Sequence, residues 1–596
     1  LKVFAEVTKY PQEMLELDME MEADLGIDTV KQATILSILG ERYRMEQQEG
    51  MKLSDYPTIR HIVDLVKGHG LLTGSLSARE PAEQKIQGQE FDQPGEITDI
   101  HRTTSLSRQV VHFSEEALAS KEYDLEGKSV WVVGDDENTL NLVAASLQER
   151  AAVVSVFVFP DSKDQLEAAA AEFTNELVID VVIDCTHIGD SVPFSQLTAQ
   201  DRQALLFLSS DTRFMFYKRL SALEVRPARI ICLTSTDGYH GLNRESHQVA
   251  DPSSGALSGF YKSLRKEWAD SDVRIIDFSE QSLTDDFSGC MSHVLSELQH
   301  AGIGVEISYA DGIRKVAKIE DKEQPGTEQL TYTEDDTFLI TGGGTGIGAR
   351  IALTIAEAYQ PGIILVDLFP LPENIDTLAE LDEKGLQKLK EDIHDRLQRT
   401  HKRVTPVMLN QEYDSLIRAI EIHNNLKTMR KHNARVVYIP CDVRDLEELG
   451  TLLEQARETV GHVTAVIHAA GLDRSHFIDQ KSAQEFHDVF SVKAGGANNL
   501  FQLCKDDPLR LVVAFSSISG RFGNAAQLDY SAANNYLSNW ICMVKHERPE
   551  IHALSLVWSG WKDIGMAWRN DLVRQRSEEM GLNLIDVEQG ITAFLQ

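Results

Sequence analysis

The sequence predicts an α/β protein in which two doubly wound parallel-sheet units stand in tandem behind a small four-helix domain. Three observations carry this reading. From about residue 105 onward, short apolar runs alternate with helical stretches, the rhythm of parallel strands joined by crossover helices. That rhythm starts afresh at Thr337, so it occurs twice. The N-terminal segment lacks it and spaces its apolar residues as a helix does. A chain of 596 residues is long enough to bury a separate core in each of these parts.

Taken in order, residues 1–71 form the helical domain, with apolar positions at Val30, Ala33, Ile35, Leu36 and Leu39, then at Ile59, Ile62, Val63 and Val66. Residues 72–104 are rich in Gly, Ser, Glu, Gln and Pro with little periodicity and read as a flexible linker. The first sheet unit, 105–325, shows strands at Ser129–Val133, Val153–Phe157, Val181–Ile183 and Arg229–Leu233. The second, 330–596, shows them at Thr337–Ile340, Ile363–Val366, Val436–Ile439, Ala465–Ile467, Leu511–Phe515 and Ala553–Val557. Between its second and third strands, residues 371–431 are charged and helical, with apolar positions such as Leu378, Leu381, Leu386 and Leu389. They read as a helical insertion near the ligand-binding edge, with a lid or partner-docking role as the alternative.

Composition excludes several classes. No run of about 18 apolar residues occurs, so no membrane span is expected. A net charge of −35 argues against nucleic acid or an anionic membrane as partner and fits a solubilising surface. Six cysteines lie in apolar stretches without CxxC spacing, which fits reduced, buried thiols in a cytoplasmic protein and neither a disulfide framework nor a zinc site. No metal is expected. The chain begins at Leu1 and stops mid-pattern at Gln596, so it reads as a piece of a longer polypeptide and the lack of a targeting signal is uninformative.

The chemistry starts at Thr341, followed by Gly342, Gly343, Gly344, Thr345, Gly346, Ile347 and Gly348. A strand, a glycine turn and a helix in succession let backbone N–H groups approach a pyrophosphate at a helix N-terminus. Both units are then Rossmann-like, but only the second is cofactor-binding. At the matching turn the first unit reads Gly134-Asp135-Asp136-Glu137, and three carboxylates repel a pyrophosphate. The first unit is therefore expected to be a degenerate, structural copy. In the second, Asp442 and Val443 follow the third strand, where a carboxylate can bond an adenine amino group. Ala469, Ala470 and Gly471 follow the fourth, where small residues let backbone lie against the cofactor.

Ketone reduction needs a hydride and a proton for the developing alkoxide. Tyr530 is the candidate donor, and Lys493 supplies the nearby cation that eases loss of its proton and can hold the nicotinamide ribose. Ser517 would hydrogen-bond the substrate carbonyl, and Asn534 would hold a water relaying protons to Lys493. Taken one at a time these are an ordinary half-buried Tyr, surface Lys, turn Ser and helix Asn; their order and spacing make the case.

These residues resemble the ketoreductase region of type I polyketide synthases, especially iterative and polyunsaturated-fatty-acid-synthase-like ones, within the short-chain dehydrogenase/reductase superfamily. The resemblance covers about residues 105–596 and rests on the glycine loop, on Lys493 in Val492–Ala497, on Phe515-Ser516-Ser517, and on Tyr530 with Asn534. It implies the tandem arrangement, a helical insertion, a lysine upstream of the tyrosine, and NADPH clasped by an arginine after strand two. Here that stretch reads Val366-Asp367-Leu368-Phe369, and an Asp at a strand-two end bonds ribose hydroxyls and repels a 2′-phosphate, which favours NADH. Neither stereochemical signature of the family is intact, the loop after strand four reading Leu472-Asp473-Arg474-Ser475 and Phe522 standing where one type has Trp. In the first domain, Glu22 to Gln32 resembles the acyl carrier protein motif of the same synthases, with Thr29 where a serine takes 4′-phosphopantetheine. The extra methyl of Thr crowds that hydroxyl, so the expectation is a carrier-like domain not efficiently loaded and serving docking or dimerisation. The alternatives are a working carrier with an unusual attachment residue, and a plain capping box over Thr29–Gln32.

The resemblance implies reduction of a β-ketoacyl thioester, held on a carrier's phosphopantetheine arm, to a β-hydroxyacyl thioester. Expected partners are the acyl-carrier-bound substrate and other domains of the same synthase, with a homodimer left open. Two rivals stand beside it: a non-catalytic scaffold module, and a dehydrogenase of free small-molecule alcohols.

Overall fold

The computed structural model describes residues 1–27 apart from 9, 11, 13 and 14, then 35, 38, 39, 42, 56–73, 108–569 and 584–596. Within the long stretch, 121–122, 149–152, 161, 175, 187, 189–195, 244–250, 301, 311, 323–329 and 402 fall outside the description. So do Thr29, which the carrier resemblance singled out, and 74–104 of the expected linker. By compactness the chain divides into two bodies, residues 1–105 with 371–423 and residues 106–370 with 424–596.

The larger body holds two sheets. The first contains β1 (Arg108–Glu115), β2 (Ser129–Gly134), β3 (Val153–Val158), β4 (Val181–Asp184), β5 (Arg229–Thr236), β6 (Asp272–Ser279), β7 (Glu306–Tyr309) and β8 (Lys315–Lys322), in the order β1-β8-β7-β6-β5-β4-β2-β3. Strands β2 to β7 run parallel, while β8 is antiparallel to both β7 and β1. The second contains β9 (Thr337–Thr341), β10 (Gly362–Asp367), β11 (Arg435–Pro440), β12 (Ala465–His468), β13 (Leu511–Ser517) and β14 (His552–Trp558). These six are all parallel, in the order β11-β10-β9-β12-β13-β14. That is the 3-2-1-4-5-6 order of dinucleotide-binding sheets, whose ligand crevice lies at the carboxyl ends of the two central strands.

Every strand expected from sequence is present, and four more were not foreseen: β1, β6, β7 and β8. The apolar run of β6 is broken by Arg274 and Asp277, which are buried because they are paired. Arg274 bonds Glu297 at 2.7 Å, and Asp277 accepts from Thr234 and Thr236. Strands β1 and β8 form a charged, half-exposed antiparallel ribbon whose pattern resembles a surface loop. The short β7 carries the buried Glu306.

One apolar core runs through both sheets of this body. They meet along the helices Pro252–Glu267 and Leu528–Glu547. A Cβ on Gly259 would lie 2.2 Å from the Ser531 carbonyl, and one on Gly255 2.6 Å from that of Asn535. Glycine at both points lets two backbones touch, so the first unit packs directly against the helix that carries Tyr530.

In the smaller body, helices Lys2–Thr8 and Ile59–Thr73 enclose a core with Phe4, Leu15, Met19, Leu25, Ile27 and Ile62. The insertion contributes the helices Ile375–Leu378 and Glu383–Thr400 and the start of Pro406–Lys431. It touches the N-terminal segment: Arg403 pairs with Asp24 at 3.3 Å, the Val407 N–H donates to the Asp24 carbonyl at 3.3 Å, and Asn410 donates to the Tyr10 hydroxyl at 3.2 Å.

Candidate active site

The glycine loop leaves β9 as a tight turn. Gly342 adopts φ +64°, and a Cβ there would sit 2.8 Å from the Ala470 amide, so no other residue lets the loop lie against the end of β12. A Cβ on Gly348 would come within 2.3 Å of the Gly342 carbonyl, which packs the helix Gly346–Tyr359 onto the turn. Thr345 precedes that helix without capping it through its own side chain, and the first turn holds no acid. Such a terminus suits a phosphate. The turn is steadied from two sides: Asp367 accepts the Gly344 N–H at 3.1 Å, and Asn425 Nδ2 donates to the Gly344 carbonyl at 2.9 Å. Asp367 also accepts from Leu368 N at 2.8 Å, so its carboxylate stays at the ribose end of the crevice.

At the end of β12, His468 is buried and burial pushes its imidazole down to about 3, so it is neutral. Its two ring nitrogens meet Thr341 Oγ1 at 2.7 Å and the Lys493 carbonyl at 2.9 Å, tying β9, β12 and the helix Ala483–Leu503 together. Ala469 and Ala470 continue past it along the glycine loop, and a Cβ on Gly471 would meet Lys493 Cε at 2.8 Å. Gly471 therefore makes room for the lysine. Asp442, expected to face an adenine, is held by Arg444 at 2.7 Å and accepts that residue's N–H at 2.9 Å. Val443 beside it packs under Gly496 of the lysine helix.

Lys493 is buried, donates to the Phe515 carbonyl at 2.7 Å, and stands 5.8 Å from the centre of the Tyr530 ring. Burial pushes its ammonium down to about 7. Burial pushes the Tyr530 phenol up and the Asp473 carboxylate adds to this, while hydrogen bonds with Ser517 and Asn534 pull it back. Ser517 ends β13, and its Oγ accepts the Ser519 N–H at 3.2 Å, which caps the short helix Ile518–Phe522. Asn534 lies one turn after Tyr530 and donates through Nδ2 to the Tyr530 carbonyl at 2.7 Å, leaving its buried Oδ1 with no partner among the described residues. The four residues expected from spacing are thus brought to one place.

Spacing did not identify what holds that place. Lys481 and Asp529 form a buried ion pair at 2.7 Å, and Asp529 accepts the Tyr530 N–H at 2.8 Å. Gln527 donates to Asp473 at 3.0 Å and Ser475 at 3.1 Å. These contacts join the loop after β12 to the start of the tyrosine helix across long sequence separations, and a single sequence carries no signal for them.

Residues 417–563 match the KR domain family model, a stretch that includes Asp442, Lys493, Ser517, Tyr530 and Asn534. The chain is 25% identical over 99% of its length to a polyunsaturated fatty acid synthase polypeptide of Thraustochytrium sp., of which it spans 21%. It is also 25% identical, over 52% of its length, to polyketide synthase PksL of Bacillus subtilis, spanning 6% of that protein. Among solved structures, an N-terminal ketoreductase from the macrolactin assembly line aligns with 82% of this chain and 88% of its own, at TM-score 0.58 and 18% identity. An A-type ketoreductase from a modular polyketide synthase aligns with 82% and 90%, at TM-score 0.59 and 19% identity. Residues 417–563 thus match a KR domain, and the larger body has the fold of ketoreductases from polyketide assembly lines. A KR domain implies a nicotinamide cofactor. The acid-free first turn of the helix, the glycine turn and the small residues after β12 fit such a cofactor.

Proposed function

We propose that this ketoreductase region reduces a β-ketoacyl thioester, presented on the phosphopantetheine arm of an acyl carrier, to the β-hydroxyacyl thioester. The nicotinamide, when bound, supplies the hydride. Tyr530 gives its phenolic proton to the developing alkoxide, Ser517 orients the carbonyl, and Lys493 stabilises the phenolate left behind. The Oδ1 of Asn534, without a partner among the described residues, suits a water that returns a proton towards Lys493. The carrying observation is the convergence of Lys493, Ser517, Tyr530 and Asn534 beside a glycine loop whose helix has no acid in its first turn. Asp367 beside the loop, with Leu368 exposed next to it, favours NADH over the NADPH typical of synthase ketoreductases.

The substrate-bearing carrier and the other domains of the same synthase are the proposed partners, in a cytoplasmic setting. The docking of Asp24 and Tyr10 on the insertion supports a docking role for the carrier-like N-terminal domain. Absorbance at 340 nm with a β-ketoacyl-N-acetylcysteamine surrogate, NADH or NADPH, and Tyr530→Phe beside the parent tests the reading. Oxidation by the parent that collapses in the variant supports it. Absence of oxidation with either cofactor, in folded protein that binds neither, would favour the scaffold role.

A further inference from the structure

The first unit binds the reductase unit by more than apolar packing. Glu267 closes the helix Pro252–Glu267 of the first unit, and its carboxylate accepts two backbone N–H groups from the second. Oε2 takes that of Ile478 at 3.0 Å, in the loop after β12, and Oε1 takes that of Ala526 at 2.9 Å, in the turn before the tyrosine helix. Both oxygens are therefore used, one on each loop. Ala526 is held at φ +66°, a left-handed conformation that a non-glycine residue adopts only when its surroundings impose it.

The same unit grips both loops elsewhere. Lys218 donates to the carbonyls of Asp479 at 3.3 Å and of Lys481. A Cβ on Gly523 would lie 2.2 Å from the Lys262 carbonyl, and Ser263 donates to the Asn524 carbonyl. Gln527, Asp473 and Ser475 then join the two loops directly, next to Tyr530. The backbone that frames the reacting carbonyl is thus set from outside the reductase unit.

We propose that Glu267 is a positioning residue of the reduction: by clamping the 472–481 loop and the 523–527 turn to each other, it fixes how the ketone sits against Tyr530 and so which face receives hydride. The proposal rests on the reductase reading above. A carboxylate is the required group, because it accepts at both oxygens. In Glu267→Gln one of the two positions becomes an NH2 facing an N–H, and one loop is released; Glu267→Ala releases both.

The test compares parent, Glu267→Gln and Glu267→Ala in the full chain with a racemisation-resistant β-ketoacyl-N-acetylcysteamine surrogate. KM, kcat, the ratio of hydroxyl configurations and the cofactor Kd are measured for each. Amide hydrogen exchange over 474–480 and 523–528 is followed in parallel. The expected result is a rise in KM of about tenfold and an eroded product ratio in both variants, faster exchange confined to the two loops, and a cofactor Kd within about twofold of the parent. A merely structural role would lower the active fraction, and so kcat, without moving KM or the product ratio. Variants that fold and keep the parent's KM, product ratio and loop exchange overturn the proposal. A parent that reduces no ketone overturns the reductase reading itself, and with it the positioning role.

Discussion

The two sheet units repeat one architecture and treat its ligand-binding edge in opposite ways. In the first, Asp136 caps the helix Glu137–Leu147, its carboxylate accepting from the Thr139 amide at 2.8 Å and from the Thr139 hydroxyl. Further along the same edge, Asp184 at the end of β4 is buried against Arg213 at 2.9 Å and accepts from Tyr261 at 2.6 Å. In the second, Thr345 at the equivalent position makes no such cap, the first turn of the helix holds no acid, and the residues after β12 are small. A capping carboxylate does for a helix N-terminus what a phosphate would do, so the first unit places its own acid where the second has threonine and glycine. Topology alone therefore does not make a nucleotide site. The charges at the carboxyl ends of the strands decide it.

The sharpest way to test this division is to remove one phenol from each unit. Tyr530→Phe is expected to cost roughly 10²–10⁴-fold in kcat with little change in melting temperature, because the proposed proton donor is lost and the ring stays. Tyr261→Phe, which removes the hydroxyl bonded to Asp184, is expected to lower stability and leave turnover per folded molecule unchanged. Steady-state kinetics beside thermal melts separates the two, and equal losses of turnover would break the division of labour.

Next in size is the charge cluster that links the units. Glu306 on β7 is buried between Lys262 at 3.0 Å and Arg521, and Lys262 also reaches Asn535 at 3.3 Å. Burial would raise the Glu306 carboxyl, but Arg521 and Lys262 outweigh it and hold it down to about 2. Glu306→Gln strands two cations and should cost about 3–5 kcal/mol in denaturant unfolding. Because this carboxyl is depressed when folded, its contribution is complete above its unfolded value near 4.5 and fades as pH falls towards 2.

Lys493 gives the opposite sign. Its ammonium is pushed down to about 7 from 10.5, so between those values the unfolded chain binds the extra proton and stability rises with pH. Lys493→Met should abolish reduction. Its melting temperature relative to the parent should be most favourable below about pH 7, with the advantage shrinking towards pH 10. A difference that stays flat across that range would mean the amine is solvated.

What the sequence showed and what it hid follow from how far each signal reaches. The glycine turn, Lys493, Ser517, Tyr530 and Asn534 were legible because each sits at a strand end or on a helix whose spacing is local. The parallel strands of the second sheet were legible because both faces are covered, which leaves continuous apolar runs. Strand β6 was hidden because Arg274 and Asp277 interrupt its run and are made tolerable only by partners such as Glu297 and Thr234. Glu267 was hidden for the same reason: its partners Ile478 and Ala526 are backbone amides more than two hundred residues away, and amides leave no trace in residue identity. Asp442 was found at the right strand end, but its engagement with Arg444 depends on side-chain directions that spacing does not give.

The smallest effect tests the comparison at its origin. Asp136→Ala removes the cap of the first unit's helix and should cost about 1 kcal/mol, read by denaturant unfolding, with turnover unchanged. The more telling readout is whether the uncapped unit now takes a nucleotide, measured by cofactor titration in a Gly348→Ala background. There the second site is blocked by a Cβ 2.3 Å from the Gly342 carbonyl. No binding is expected, because Asp184, Arg213 and Tyr261 still fill the edge beyond the cap, and Leu140 packs so closely on Gly134 that a Cβ there would lie 2.9 Å from it. Binding in the double variant would mean that one carboxylate alone keeps the first unit empty, and that the filling of its edge contributes stability without setting specificity.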